Sequence, residues 1–504
     1  KLSRMTPPDS GPSLTASLLL PASLWWTLGA AGLSVALWAW LRARGWGAAA
    51  GWTALALAGQ ACALQLVDAG PAIRLQMFFG WTDLLRTWRG AFLAVLALQT
   101  LIVAWGAVHY LRAGNAPLPS AVRLTPWIVL FGFALFACAT FAPEVAQAFV
   151  HGGFLKRAAV QATKQLLGMM IFAVGSINLA LAAVSLPAEI WERWAARWRA
   201  RNSARLAWIA ALWVVVISSL LCWSVLNYLP HVPDEAGYLF QAKYLSTGRL
   251  YLPMPVDAQA FYNEFQIADG QKWYDSPPAG WAFVLALGYL AGLPWLVNPL
   301  LGGLAILLAH AIVRRLYDRD VADGVALLLA TSPWLLFLSA SLMPHPTTLV
   351  LSLLGILGVE RARNEGSVLW AAVAGFAIGG LLHTRPLEAA IIAFVLGLWW
   401  LSRGWKQLRW KAILSTALTG LVMTALFLAY NRTLTGKATY LPITKFTDEA
   451  FYPGANRMGF GKDIGNFGWT GLDALPGHGP IDVVMNTNQN LYLVNFEMFG
   501  WACG

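Results

Sequence analysis

Apolar runs too long for a water-soluble core recur along nearly the whole chain, and they constrain its fold more than any other feature. A helix needs about 18 to 20 apolar residues to cross ~30 Å of hydrocarbon. Candidate runs fall near 15–41, 46–67, 91–111, 124–142, 166–186 and 206–229, then near 295–313, 321–342, 346–360, 368–383, 386–401 and 411–430. Some of the later ones are short and bounded by Pro or by charge. The expected architecture is an all-α polytopic membrane protein of about twelve transmembrane helices. Composition agrees: 58% of the 504 residues are hydrophobic, 12% are charged and 27 are Trp, outside the range of soluble globular domains. The first run, Leu14 to Leu41, is too long for a signal-peptide core and lacks the usual basic segment before it, so it reads as a first span.

The net charge of +11 does not point to nucleic acid, because the basic residues sit in short clusters between apolar runs, where membrane orientation requires them. The clusters are Arg42 and Arg44; Arg112 and Arg123; Arg193, Arg197, Arg199, Arg201 and Arg205; Arg314, Arg315 and Arg319; Arg361 and Arg363; and Arg403, Lys406, Arg409 and Lys411. All six can share the cytoplasmic face if 279–293, about 14 apolar residues between Pro278 and Pro294, lies at the surface or re-enters instead of crossing. Segments 230–278, 343–346, 383–386 and 431–504 then face the opposite side. Lys1 and Arg4 argue weakly against the outside N-terminus this topology implies. Of the four cysteines, Cys62, Cys138 and Cys222 fall in apolar stretches and Cys503 stands near the end. No disulfide framework or CxxC pair arises, and redox and zinc-thiolate roles drop out.

Polar residues converge on that opposite face. Pro233, Asp234 and Glu235 open the 230–278 segment, in which a short helix is expected from Asp234 to about Thr247, with Gly248 at C′ and Leu239, Ala242 and Leu245 as an apolar stripe. Asp234 would be its N-cap, with a lowered pKa that keeps it ionised; it is either a structural cap or a general base. Adjacent helical residues point about 100° apart, so Glu235 does not duplicate Asp234; an acceptor, a metal or a neighbouring loop is its contact. Arg385, at a membrane border before Pro386, either snorkels to headgroups or clamps a phosphate. His345, between Pro344 and Pro346, is a loop residue or a second phosphate or metal contact. Glu388 is spaced to pair with Arg385. Asn431 to Thr433 forms a glycosylation sequon, to which no role is given. No P-loop, Rossmann glycine pattern or nucleotide-sugar acidic signal occurs.

Pro233-Asp234-Glu235, followed by Tyr238, Ala242, Leu245 and Gly248, the Pro277-Pro278 pair that closes the loop, and Arg385-Pro386 resemble membrane glycosyltransferases of the GT-C type. Within these, the resemblance is to the group related to dolichyl-phosphate-mannose protein mannosyltransferases and the bacterial lipid A aminoarabinose transferase. It covers about residues 206–504. It implies a GT-C-like core over 206–430, with juxtamembrane helices in the catalytic loop 230–278. It also implies Asp234 as the catalytic base, with Glu235 beside it, and a sugar on a polyprenyl phosphate as donor. The tail, from Met458 to Asp463, through Gly477, His478 and Pro480, to Asn495 and Trp501, is similar to that of bacterial members, which continue into further helices. Residues 431–504 are accordingly expected to be an extracytoplasmic loop cut short before those helices. Residues 1–200, about five helices and a Trp/Arg linker from Trp191 to Arg205, have no counterpart and receive no role.

The expected reaction is one displacement at the anomeric carbon. Asp234 takes the acceptor's proton, and Arg385, with His345 or Lys437, stabilises the departing lipid phosphate. The acceptor is a lipid, a glycan or a protein, and membrane lipids are the surroundings. No cofactor is assigned; a divalent metal stays open, with Glu235 or His345 as ligands, since no spacing is diagnostic. The expected location is a bacterial inner (plasma) membrane, with the site on the periplasmic face. A transporter or flippase of lipid-linked substrates is the alternative, but it calls for ionisable groups at mid-membrane and matched broken helices, whereas Asp68 and Glu144 lie at span ends. A non-catalytic scaffold would leave the Asp234 loop unexplained.

Overall fold

The computed structural model describes residues 22–68, 77–112, 154–261, 264–402, 404, 408–462, 464, 477–483 and 486–487. The expected span 124–142, the beginning of the one at 15–41, the basic residues Arg123, Arg403 and Lys406, and the tail segments 465–476 and 488–504 lie outside them. The chain forms two compact units: Lys1–Ala134 with Lys164–Ala196 and Trp501–Gly504, and Leu135–Thr163 with Arg197–Gly500.

The first unit holds α1 (Ala22–Ala43), α2 (Gly47–Leu64), the strand pair β1 (Val67–Asp68) and β2 (Met77–Phe78), α3 (Trp81–Arg86), α4 (Arg89–Arg112) and most of α5 (Phe154–Val184). Gly59 of α2 takes Gln99 of α4 against its backbone: a Cβ there would stand 2.1 Å from the Gln99 Oε1. The connector α6 (Ala188–Ala200) follows.

The second unit contains α7 (Ser203–Ser224), α8 (Pro233–Ser246), the strands β3 (Leu252–Pro253), β4 (Gln266–Asp269) and β5 (Lys272–Asp275), then α9 (Gly280–Leu290), α10 (Val297–Leu316), α11 (Arg319–Ala330) and α12 (Pro333–Ala340). It continues with α13 (His345–Glu365), α14 (Val368–Thr384), α15 (Pro386–Leu401), α16 (Trp410–Thr435) and α17 (Pro442–Ala450). Ala210, Ala211 and Val214 of α7 pack with Ile306, Ala326 and Leu335, and Val359, Ala371, Leu396 and Ala412 form a second apolar cluster across α13 to α16. Small residues at these contacts let helices approach closely without a large hydrophobic driving force.

Six helices are long and apolar enough to cross a membrane: Gly47–Leu64, Arg89–Arg112, Leu166–Val184, Ser203–Ser224, Pro294–Leu316 and Trp410–Thr435. Trp208, Leu212 and Trp213 of α7 stand exposed, as apolar surface facing lipid does. The protein is membrane-embedded and mostly helical. Among the described residues the count is six, or seven if α11 and α12 are one span bent by 56°, against the twelve expected. The run 321–342 breaks because Pro333 lacks an N–H and holds Ser332 extended (φ −68°, ψ 118°). The runs near 368–383 and 386–401 give helices of 17 and 16 residues, about 25 Å long at 1.5 Å per residue. In α13 the last turns carry Glu360, Arg361, Arg363 and Glu365. The 11 residues of α9 span about 16 Å, roughly half the hydrocarbon thickness.

The helical frame carries one small addition: residues 252–275 form a three-stranded antiparallel sheet in the order β3-β5-β4, with Gln266 opposite Asp275 and Ile267 opposite Tyr274. Asp269 and Lys272 pair across a two-residue turn at Gly270-Gln271, where Gly270 has φ +60°. Only glycine enters that conformation freely, and the pairing sets the hairpin register.

Candidate active site

Helix α8 carries the acidic pair, and it begins one residue earlier than the sequence suggests. Pro233 occupies N1, where its fixed φ suits a helix and its missing N–H is not needed, and Val232 is the N-cap, with no side-chain cap bond. Asp234 is therefore the second helical residue, not the cap. The expected Gly248 does stand at C′ (φ +77°), its N–H donating to Leu245 O at 2.9 Å.

The two acids have different surroundings. Glu235 is 3% exposed. Its Oε2 accepts from the His231 N–H at 2.7 Å and its Oε1 from the Leu342 N–H at 2.9 Å. Of the contacts open to it, the structure gives it the neighbouring loop. That loop is gripped from two further helices: Trp281 Nε1 donates to Leu342 O (2.8 Å), and Asn298 Nδ2 to Ser341 O (2.6 Å) and Met343 O (2.9 Å). Asp234 is half-buried, and among the described residues no other residue hydrogen-bonds its carboxylate. Burial raises its pKa; its own backbone N–H opposes the rise, Glu264 adds to it, and Arg385 opposes it again. The expected lowering is overturned because desolvation outweighs the favourable first-turn position.

Arg385 joins α14 to α15 in an extended backbone (φ −144°, ψ 85°) ahead of Pro386. It lies within electrostatic reach of both Asp234 and Tyr238. Its Nη1 donates to Glu388 Oε1 at 3.2 Å, the pairing that spacing suggested, and its Nη2 lies 3.4 Å from His345 Nε2. Burial, then the Arg385 charge, pushes the His345 pKa down to about 4. His345 is thus neutral at pH 7, its Nε2 accepts from Arg385, and its proton is on Nδ1, which has no partner among the described residues. It orients Arg385 and supplies no second positive charge. Lys437 is exposed, its backbone is tied to Thr435 (Lys437 N to Thr435 Oγ1, 3.3 Å), and no contact joins its ammonium to Asp234, Arg385 or His345 among the described residues.

The sequence reading missed Asp275, at the end of β5. Its side chain is fully buried, lies against α8 at Gly237 and has no hydrogen-bonded side-chain oxygen among the described residues. A Cβ on Gly237 would meet Asp275 Oδ2 at 2.3 Å. Burial holds its carboxyl well above the usual carboxylate range; the Ser276 backbone opposes this and the charge of Asp234 adds to it. Asp275 therefore holds its proton more readily than a solvated carboxyl does, against Gly237, three residues along α8 from Asp234. The strand that ends in it, Lys-Trp-Tyr-Asp, does not alternate in polarity and so gives no local signal of the burial. Gln241 anchors the same helix by donating to Pro277 O (3.3 Å) and to the Tyr430 hydroxyl (3.2 Å).

Next to Arg385, α9, α13, α14 and α16 enclose an apolar cavity of about 520 Å³, lined by Phe283, Val284, Leu351, Phe376, Met423 and Leu426, with His383 and Thr384 on its wall. No group of three or more His, Cys, Asp or Glu is placed to hold a metal ion among the described residues. Of the two ligands left open, Glu235 has both oxygens engaged by backbone N–H groups and His345 has Nε2 engaged by Arg385. The arrangement provides one half-buried proton acceptor, one cation with donors to spare, and an apolar cavity beside them.

Comparison of the chain with family models, with characterised proteins and with solved structures found no match.

Proposed function

We propose that this chain is an integral membrane glycosyltransferase of the GT-C type, which moves a sugar from a polyprenyl phosphate to an acceptor on the extracytoplasmic face of a bacterial inner membrane. The single observation that carries the reading is the approach of Arg385 to Asp234 across 151 positions of sequence, close enough for the guanidinium to act on the carboxylate's ionisation. The chemistry requires such a pair. As the acceptor oxygen bonds to the anomeric carbon, its proton passes to Asp234, the carbon–oxygen bond to the lipid phosphate breaks, and the released phosphate gains negative charge beside Arg385. One displacement inverts the anomeric centre. A pKa raised by burial makes Asp234 a stronger proton acceptor while it stays ionised above that pKa. The cavity suits the isoprenoid chain, since its walls are apolar and Thr384, the residue before Arg385, is part of its lining. In this reading Glu235 and His345 are positioning residues, Lys437 has no part, and the shorter helices α14 and α15 complete a core of more spans than length alone identifies.

The test is Asp234→Asn assayed with a polyprenyl-phosphate sugar in membranes. Transfer should fall by about 10² or more, the range of general-base contributions, with insertion and abundance unchanged. Unimpaired transfer ends the proposal. One observation favours the transporter reading, the 56° bend between α11 and α12, because broken helices line many transport sites. Retained transfer with altered lipid flux would support it.

A further inference from the structure

The Trp/Arg linker receives no role from the proposed function, yet its geometry is specific. Helix α6 connects two candidate spans, Leu166–Val184 and Ser203–Ser224. Its 13 residues reach about 20 Å, too short to cross hydrocarbon, so it is a connector between the two spans and not a span itself. None of its residues is buried by protein. At 100° per residue, Ile190, Trp191, Trp194 and Trp198 share an arc of about 100°, and Trp191 and Trp194 are 46% and 61% exposed. Arg193, Arg197 and Arg199 lie off that arc and form no ion pair among the described residues. Each end is pinned. Trp191 Nε1 donates to Ala183 O at 3.1 Å, and Trp198 stacks under Arg201, whose guanidinium carbon is 3.5 Å from the ring centroid. Arg201 in turn holds Asp320 and Asp323, each at 2.5 Å.

We infer that α6 is an in-plane lipid-binding helix: its tryptophan face enters the boundary between headgroups and acyl chains, and its arginines, of which Arg193 donates only to the Glu189 backbone oxygen (3.1 Å) among the described residues, bind anionic headgroups. Indole is amphipathic and settles at that depth, and arginine reaches phosphate oxygens from beside it. The charge complementarity selects anionic lipid over a purely zwitterionic surface. The inference does not depend on the enzymatic reading.

The full chain is reconstituted with a genetically encoded coumarin amino acid in place of Trp194 in one variant and of Glu192 in another, which leaves the native cysteines untouched. In vesicles containing phosphatidylglycerol, brominated acyl chains should quench the label at 194 at least two-fold more than that at 192, and aqueous iodide should show the reverse order. In vesicles of phosphatidylcholine alone, lipid quenching at 194 should fall by about half. Equal iodide quenching at both positions would overturn the inference, as would a label at 194 that neither quencher reaches, which would mean that protein covers the face. Equal lipid quenching in the two vesicle types would overturn the anionic selectivity. If either label blocks insertion, Arg197→Gln with Arg199→Gln serves instead, read by co-purified phosphatidylglycerol, which should drop at least two-fold; an unchanged amount overturns the headgroup assignment.

Discussion

His345 Nε2 lies 3.4 Å from Arg385 Nη2, so an uncharged imidazole aims the one guanidinium that acts on Asp234. The pairing works only while His345 is unprotonated, because an imidazolium has no lone pair to offer Arg385.

That requirement sets an acid limit on stability. The folded His345 pKa is about 4, against 6.5 for the free side chain, so the unfolded chain binds the extra proton first. The contribution is fully present above pH 6.5 and is lost as pH falls from there to about 4. Thermal unfolding in detergent across this window should show His345→Gln losing less midpoint temperature than the wild type. Parallel curves would contradict the assignment.

In the proposed reaction, the acid limb of the transfer rate would report Asp234. Arg385 lowers its pKa and Glu264 raises it, so Arg385→Gln should move the limb to higher pH and Glu264→Gln to lower pH. The limb itself should lie above the ordinary Asp range, near 3.9. Profiles of kcat/KM against pH provide the measurement, and shifts of the same sign in both variants would remove Asp234 as the titrating group.

Glu235 positions two segments through their backbones. Glu235→Ala leaves the N–H groups of His231 and Leu342 without their acceptor, at a cost of roughly 2 to 4 kcal/mol; Glu235→Gln keeps one good acceptor and should lose about half that. Protease sensitivity of the 341–343 turn, compared between the two variants, checks the ranking. Full stability in Glu235→Ala would show that the turn is held without it.

The contact between α8 and β5 leaves no room for a methyl group. Gly237→Ala places a Cβ 2.3 Å from Asp275 Oδ2 and should destabilise by about 1 to 3 kcal/mol. Adding Asp275→Ala should recover most of that loss, a coupling that a double-mutant cycle measures. Additive effects would mean that the strain falls elsewhere.

Local signals were legible where a single stretch of chain decides the outcome. The apolar runs that became α2, α4, α7, α10 and α16, and the stop of α8 at Gly248, follow from length, periodicity and a left-handed glycine. Pro333 was weighted too lightly against the apolarity around it, and the Asp269-Gly270 turn signal went unread beside so many helices. The N1 preference of Pro233 moves the cap back to Val232 and leaves Asp234 inside the first turn. Partners distant in sequence left no local mark: nothing near Glu235 announces Leu342, and nothing near Asp275 announces burial against Gly237. Charge and a place in the last outer loop single out Lys437 in the sequence, but neither says where its side chain goes.

The 107 positions that separate Leu342 from Glu235, and the 189 that separate Tyr430 from Gln241, impose a timetable on biosynthesis. Helix α8 leaves the ribosome long before either anchor exists, and its buried carboxylate waits with one oxygen unserved while four further helices are translated. The region must therefore be sheltered or kept soft by its surroundings until residue 342 arrives. A nascent chain stalled short of that point should expose the 233–275 segment to protease, and one extended beyond Tyr430 should protect it.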